Sequence, residues 1–202
     1  MEVNATTVKE LREKTGAGFM DCKKALAETG GNLEKAVDYL RQKGLAAAAK
    51  KADRVASDGA VGAYVHPGGK IGVLVEINCQ TDFVARTTEF QTLLKDIAMQ
   101  VAAASPRYVR REEVAADELE REQSIYRQQA LEQGKPEQIV GKIVEGKMER
   151  FYSEVCLLEQ AFIKDPDRKV SDIIADAVAR LGENIQVRRF ARFHLGDGMP
   201  KA

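Results

Sequence analysis

Tryptophan is absent from this chain, histidine occurs twice, cysteine three times and proline five times. Cys22, Cys79 and Cys156 are scattered and odd in number, which supplies neither a disulfide framework nor a zinc-binding spacing and fits a reducing cytoplasm. His66 and His194 lie far apart in sequence, and no motif supports a Cys–His nucleophile pair. Net charge is absent too, with Lys+Arg and Asp+Glu both 31. A nucleic-acid groove normally needs a strong basic excess, so no direct nucleic-acid partner is expected. The local run Arg188, Arg189 and Arg192 reads as a solvated strand face or an interface. No apolar run is long enough to span a bilayer and the polar N-terminus carries no signal peptide, so the expectation is a cytoplasmic protein without a membrane partner.

Phosphate-binding motifs fail on inspection. Gly141-Lys-Ile-Val-Glu-Gly146-Lys147 superficially matches a phosphate loop, but Met148 stands where a magnesium-binding Ser or Thr is required and no strand precedes it. Gly16-Ala-Gly18 has no preceding strand either. With no catalytic constellation, cofactor motif or metal ligand set, the chain reads as a binder and not an enzyme.

What the chain does have is a length of 202 residues and a 44% hydrophobic composition, enough for one core, or one core plus a small satellite. Residues 1–44 read as three short helices. Thr7 with Glu10 forms a capping box, Gly16-Ala17-Gly18 breaks the first helix, Gly30-Gly31 the second, and Asn32 caps a third that Gly44 ends. Such a bundle has little core of its own and suits docking. Residues 45–58, rich in Ala and Lys, read as a helical or semi-rigid linker. Residues 59–202 read as an α+β core. A hairpin turns at Pro67-Gly68-Gly69. Thr88 with Gln91 caps an amphipathic helix carrying Phe90, Leu93, Leu94, Ile97, Ala98, Val101 and Ala102. A charged helix spans about 116–133, another carries Ile139, Val140 and Ile143, and a further helical stretch surrounds 151–158. Ser171 caps a helix that Gly182 ends. The final stretch, 185–195, alternates as Ile185, Val187, Ala191, Phe193 and Leu195, a third strand. The fold class expected is α+β: a small three-stranded antiparallel sheet covered by helices, behind an N-terminal bundle.

The most informative stretch runs from Ile71 to Arg86. Ile71, Val73, Val75, Ile77 and Cys79 alternate with Gly72, Leu74, Glu76 and Asn78, giving a strand with one apolar face. It leads into Thr81-Asp82-Phe83-Val84 before the next helix. An Asp before a helix commonly caps it, and a Phe after a strand commonly packs in the core. The competing possibility is a carboxylate and a large aromatic presented outward for work on another molecule.

Thr7 to Leu26, reading Thr-Val-Lys-Glu-Leu-Arg-Glu-Lys-Thr-Gly-Ala-Gly-Phe-Met-Asp-Cys-Lys-Lys-Ala-Leu, resembles the opening signature of the elongation factor Ts family. Glu76-Ile-Asn-Cys-Gln-Thr-Asp-Phe-Val-Ala-Arg86 resembles its second signature, and Gly182-Glu-Asn-Ile-Gln-Val-Arg-Arg-Phe190 its final strand. Phe19 stands where members commonly carry Met, a soft apolar exchange. The resemblance implies a guanine nucleotide exchange factor for the GTPase elongation factor Tu, with an N-terminal bundle of the ubiquitin-associated type. It implies that Lys9, Arg12, Phe19 and Met20 bind the partner, and that Thr81, Asp82, Phe83 and Val84 dislodge the partner's magnesium. The chain shows one hairpin-plus-strand set where longer members carry a second core subdomain. In short-form members a second protomer fills that half, so a homodimer is expected. Two competing readings are a docking protein that only binds, supported by the bundle alone, and a cysteine enzyme using Cys79.

Overall fold

The computed structural model describes residues 4–198, so the outermost residues of the 1–44 and 59–202 segments, 1–3 and 199–202, lie outside the described residues. In chain order the elements are helices α1 (Ala5–Thr15), α2 (Phe19–Glu28) and α3 (Leu33–Ala49), then strands β1 (Asp58–Val65) and β2 (Ile71–Cys79). Helices α4 (Asp82–Ala85), α5 (Thr88–Ala104), α6 (Ala116–Glu132) and α7 (Glu137–Val155) follow. A short pair, β3 (Ala161–Phe162) and β4 (Asp165–Lys169), precedes α8 (Val170–Leu181) and β5 (Gln186–His194). The main sheet is antiparallel with order β1-β2-β5, and β3 pairs with β4 in a separate ribbon. This is the α+β arrangement expected, with the charged β3–β4 ribbon added.

Contacts divide the chain into two compact units. The first comprises Met1–Ala60, Ile77–Leu93 and Asp172–Gln186; the second comprises Val61–Glu76, Leu94–Ser171 and Val187–Ala202.

In the first unit, α1–α3 close around Val8, Leu11, Cys22, Ala25, Leu26 and Ala36, with Leu33, Val37, Tyr39 and Leu40 packed against them. Asn4 caps α1 by accepting from the Thr6 N–H at 3.0 Å, so Thr7 lies inside the helix and the capping box expected there does not form. The cap must sit outside the helix in extended backbone, and Asn4 does so at φ −67°, ψ 134°. Asn32 caps α3 as expected, accepting from the Lys35 N–H at 2.9 Å. Gly44, however, does not end α3, which continues to Ala49. Gly44 is buried, and a Cβ there would lie 3.6 Å from Asp176 Oδ1 and 3.7 Å from Ala179 Cβ. The glycine permits close approach to α8 where the sequence reads as a stop. Arg41 pairs with Asp172 at 2.6 Å, and Lys51 donates to the Val178 carbonyl at 3.3 Å, so α3 and the turn after it run along α8.

In the second unit, α6 and α7 form a helical hairpin around Val114, Met148, Phe151, Val155 and Cys156. The two helical stretches read separately at Ile139–Ile143 and 151–158 are the single helix α7, in which Gly141 and Gly146 face open space. Arg111 donates to both carboxylate oxygens of Glu149 at 2.7 Å and to Glu159 at 2.8 Å, with its guanidinium 4.6 Å above the Tyr152 ring. Buried Gln100 donates to Gln160 Oε1 and the Ala161 carbonyl, both at 3.1 Å, and accepts from the Ile163 N–H at 2.8 Å. That satisfied amide fixes the β3 segment against α5.

All seven apolar positions read on α5 are buried, as are Val73, Val75, Ile77 and Cys79 on β2. Thr87 rather than Thr88 caps α5, accepting from the Phe90 N–H at 3.3 Å. Similarly α8 begins at Val170, which places Ser171 inside it and not at its cap. The expected alternation of β5 holds only at its start. Val187 is buried, Arg188 and Arg189 are both exposed, and beyond them Phe190 and Arg192 turn inward while Ala191 and Phe193 face solvent. The inward phase therefore shifts by one residue at the arginine pair.

Two glycines of the hairpin differ in what they tolerate. Gly59 has φ +142°, and a Cβ there would sit 2.2 Å from the Ile77 carbonyl oxygen. Gly68, in the turn closed by the His66 N–H to the Ile71 carbonyl, has φ +94° and open space around it. Gly59→Ala is expected to destabilise the fold by about 3 kcal/mol or more, through strain and backbone collision. Gly68→Ala should cost about 1 kcal/mol from the backbone conformation alone. Urea unfolding midpoints of the two variants check the difference, and equal midpoints would contradict it.

Candidate partner-binding site

The strand β2 ends at Cys79, and after Gln80 and Thr81 the chain starts the single-turn helix α4. Thr81 caps that turn, its Oγ1 accepting from the Val84 N–H at 3.4 Å. Thr87 Oγ1 donates to the Val84 carbonyl at 2.8 Å, and Gln91 Nε2 donates to the Ala85 carbonyl at 2.7 Å. A four-residue helix has no stability of its own, so these side chains supply the bonds that its ends lack.

The result is a rigid presentation of Phe83. Its side chain is 82% exposed, whereas the flanking Val84 is buried at 9% and Ala85 at 5%. A phenylalanine kept for the core would be inside, so the core reading of Phe83 is excluded by its exposure. Asp82 is the first residue of α4 rather than its cap, and its carboxylate pairs with Arg86 at 2.7 Å on the surface. Such an exposed i,i+4 pair contributes little to stability and leaves the carboxylate available to a competitor.

Glu183, just past the C-terminus of α8, holds the entrance to this turn. One carboxylate oxygen accepts from the Gln80 N–H at 3.0 Å and the Thr81 N–H at 3.1 Å, and the other accepts from the Thr81 hydroxyl at 2.7 Å. Its neighbour Asn184 donates its backbone N–H to Gln80 Oε1 at 2.9 Å and its side-chain amide to the carbonyls of Ala52 and Arg54 at 3.1 and 2.7 Å. Gly182, at φ +79°, makes the left-handed turn that brings the pair into place. Gln80, Arg86, Glu183 and Asn184 lie inside the two signature segments quoted above, but the sequence reading gives none of them a role at the site. The local signal for the last two is a polar Glu-Asn pair between a helix-ending glycine and an apolar strand.

The N-terminal candidates are also on the surface. Phe19 is 50% and Met20 71% exposed, at the start of α2, while Cys22, Ala25 and Leu26 on the same helix are buried. Lys9 lies 3.9 Å from Glu13 on the exposed side of α1, and Arg12 is exposed one turn further on. Thus Lys9, Arg12, Phe19 and Met20 share the first compact unit with Thr81, Asp82, Phe83 and Val84. Of the eight, Val84 alone is buried; it anchors the turn from beneath.

The thiols show no sign of activation. Cys79 is fully buried and donates to the Thr81 carbonyl at 3.1 Å; burial pushes its pKa up, and the Glu183 charge adds to the effect. Burial likewise raises Cys22, and it raises Cys156 to about 11. A nucleophilic cysteine needs the reverse environment. Among the described residues no group of His, Cys, Asp and Glu is placed to hold a metal ion, and no helix is long and apolar enough to cross a membrane.

The sequence model of the family described as "Elongation factor TS" matches residues 4–197. The chain belongs to the elongation factor Ts family. Three relatives named Elongation factor Ts show how close the similarity is. That of Desulforamulus reducens is 62% identical over 200 residues, covering 99% of this chain and 92% of the relative. That of Heliobacterium modesticaldum is 64% identical over 199 residues, covering 98% and 93%. That of Anaeromyxobacter dehalogenans strain 2CP-1 is 65% identical over 200 residues, covering 99% and 91%. Membership of the elongation factor Ts family places the chain among proteins of translation elongation.

All three cysteines are free and buried in this elongation factor Ts fold. At about pH 8 an aromatic disulfide reagent should therefore label none of them rapidly in the native protein, and all of them in denaturant. Prompt native-state labelling of Cys79 would restore the cysteine-enzyme reading.

Proposed function

We propose that this protein is a guanine nucleotide exchange factor for the GTPase elongation factor Tu, acting in the cytoplasm and by binding alone. The single observation that supports this reading most strongly is Phe83, an aromatic 82% exposed on a helical turn capped at both ends. Exposing so large an apolar side chain on a rigid support is costly unless a partner covers it.

The proposed mechanism has two parts. Lys9, Arg12, Phe19 and Met20 grip the GTPase, so that residues 1–44 work as the docking module and 59–202 as the core. Phe83 then enters an apolar crevice of the partner while Asp82 exchanges its Arg86 pairing for new contacts near the partner's magnesium. Magnesium bridges the nucleotide phosphates to a GTPase and neutralises their charge, so disturbing its surroundings weakens nucleotide binding. The coupling is reciprocal: if the factor weakens GDP binding, GDP weakens factor binding by the same ratio. No covalent step is required.

Self-association forms the second half of the proposal. The outward face of the main sheet carries Val61, Ala63 and Val65 on β1, Leu74 on β2, and Ala191 and Phe193 on β5. Val61, Val65 and Phe193 are each about two-thirds exposed, at 66%, 67% and 70%. A shallow cavity of about 260 Å³ lies on this face beside the Arg189–Glu76 pair, which is 2.7 Å long. Apolar residues contiguous over three strands are what a second copy would cover, and the homodimer expected from the single-copy core would bind two partners symmetrically.

Stopped-flow release of labelled GDP from elongation factor Tu tests the exchange reading. Phe83→Ala should reduce accelerated release by about tenfold or more. Its unfolding free energy should change by no more than about 0.5 kcal/mol, because the side chain is exposed. Asp82→Ala should chiefly change the magnesium dependence. Normal exchange by a folded Phe83→Ala protein would sink the wedge.

Sedimentation equilibrium at micromolar concentration should give a mass near twice the 22.3 kDa chain. Reductant should leave that mass unchanged, and Phe193→Glu should return it to the monomer. A wild-type monomer would remove the homodimer from the proposal.

A further inference from the structure

Glu183 is separated from the exchange turn by about a hundred residues of chain, yet it makes three of the hydrogen bonds that shape it. Its carboxylate accepts both consecutive N–H groups where β2 gives way to α4, leaving neither of these backbone donors unpaired. The bond to the Thr81 hydroxyl has a further effect. A hydroxyl has one proton, and here that proton is committed to Glu183 Oε1 at 2.7 Å. The lone pairs of Thr81 Oγ1 are then turned toward the Val84 N–H, which they accept at 3.4 Å. Three groups thus form one directional chain: carboxylate, hydroxyl, helix N–H. That chain ends on the turn that holds Asp82 and Phe83 outward.

The rest of the surroundings fixes the carboxylate itself. Gly182 sets the backbone direction in a conformation that side-chain-bearing residues rarely adopt. Asn184, only 3% exposed, is anchored to Ala52 and Arg54 on one side and to Gln80 on the other. Glu183 has little freedom to follow the turn if the turn moves; the turn is instead held to Glu183.

We infer that Glu183 is a positioning residue for nucleotide exchange: through Thr81 it keeps the Asp82–Phe83 turn in the geometry that acts on the partner. This rests on the exchange reading of Phe83 given above. The turn needs this support because a hydrogen-bonded single turn is unstable in isolation. Without it, Phe83 samples several orientations and must be ordered on the partner, an entropic cost that falls on the step using Phe83. The grip at Lys9, Arg12, Phe19 and Met20 lies on other elements, so initial association is spared.

Four variants decide the matter in the GDP-release assay on elongation factor Tu, with release rate followed against factor concentration. Glu183→Ala and Thr81→Val should each lower the maximal release rate by about tenfold, the scale of losing a charge-assisted hydrogen bond. The factor concentration giving half-maximal release should change by less than about twofold, since the grip is untouched. Thr81→Ser, which keeps the hydroxyl, should restore the wild-type rate. The double variant Glu183→Ala/Thr81→Val should be no slower than either single variant, because both remove one chain of bonds. Thr81 is exposed, so its two variants keep the test open even if Glu183→Ala folds poorly. A wild-type maximal rate in Thr81→Val, alongside a defective Phe83→Ala control, would overturn the role of Glu183 alone. A loss confined to half-saturation, or a double variant showing the full product of both defects, would overturn it too. A normal Phe83→Ala control would instead overturn the exchange reading beneath it.

Discussion

The first compact unit depends on the buried amide of Asn184. Its side chain has two donor hydrogens, and they go to two carbonyls, of Ala52 and Arg54, in the irregular segment after α3. Its backbone N–H meets Gln80 at the end of β2. One residue therefore ties the end of the N-terminal bundle, the end of the central strand and the end of α8. The distances are short and every donor is used, which makes the arrangement specific as well as favourable, since a misplaced partner would leave a buried polar group unsatisfied. The alignment of α3 along α8, with Arg41 on Asp172 and Gly44 at the closest approach, extends the same junction along two helices.

Core packing and the display of large apolar side chains are carried by different faces of the same elements. On α2, Cys22, Ala25 and Leu26 close the bundle while Phe19 and Met20 face solvent. On α4, Val84 and Ala85 are inside and Phe83 is outside. On β2, Val73, Val75 and Ile77 are buried and Leu74 is not. The period of each element assigns alternate positions to core and surface, so large apolar residues can be placed outward without disturbing the core. These outward residues form the exposed tip of the α4 turn, part of the bundle surface and the open sheet face.

Much of this was legible in the sequence, and the misreadings have identifiable causes. The α5 face could be read completely because seven apolar residues at helical spacing leave one choice of buried side. Thr7 and Thr88 were misread as caps because capping depends on which residue stands last outside the helix; Asn4 and Thr87 take those places. Gly44 resembled a stop because glycine is a common helix terminator, but its role is steric, and only the neighbouring α8 reveals that. In β5 the alternation was real, yet the phase shift at Arg188–Arg189 reversed which residues face the core. The segment 81–84 stood out by its residue types, whereas its direction could not be inferred from them.

By itself, the sequence determined the family, the three helices of the bundle and the three strands of the main sheet, the apolar faces of α5 and β2, and the segment that bears the exposed aromatic. These follow from local periodicity, from turn-forming glycines and from motifs contiguous along the chain. Only the tertiary structure decided that Phe83 faces solvent while Val84 does not, that α3 runs past its glycine onto α8, and that Glu183 grips the start of the α4 turn. The physical reason is sequence distance. A carboxylate finds backbone donors a hundred residues away only once the chain has folded, and no local pattern records that pairing.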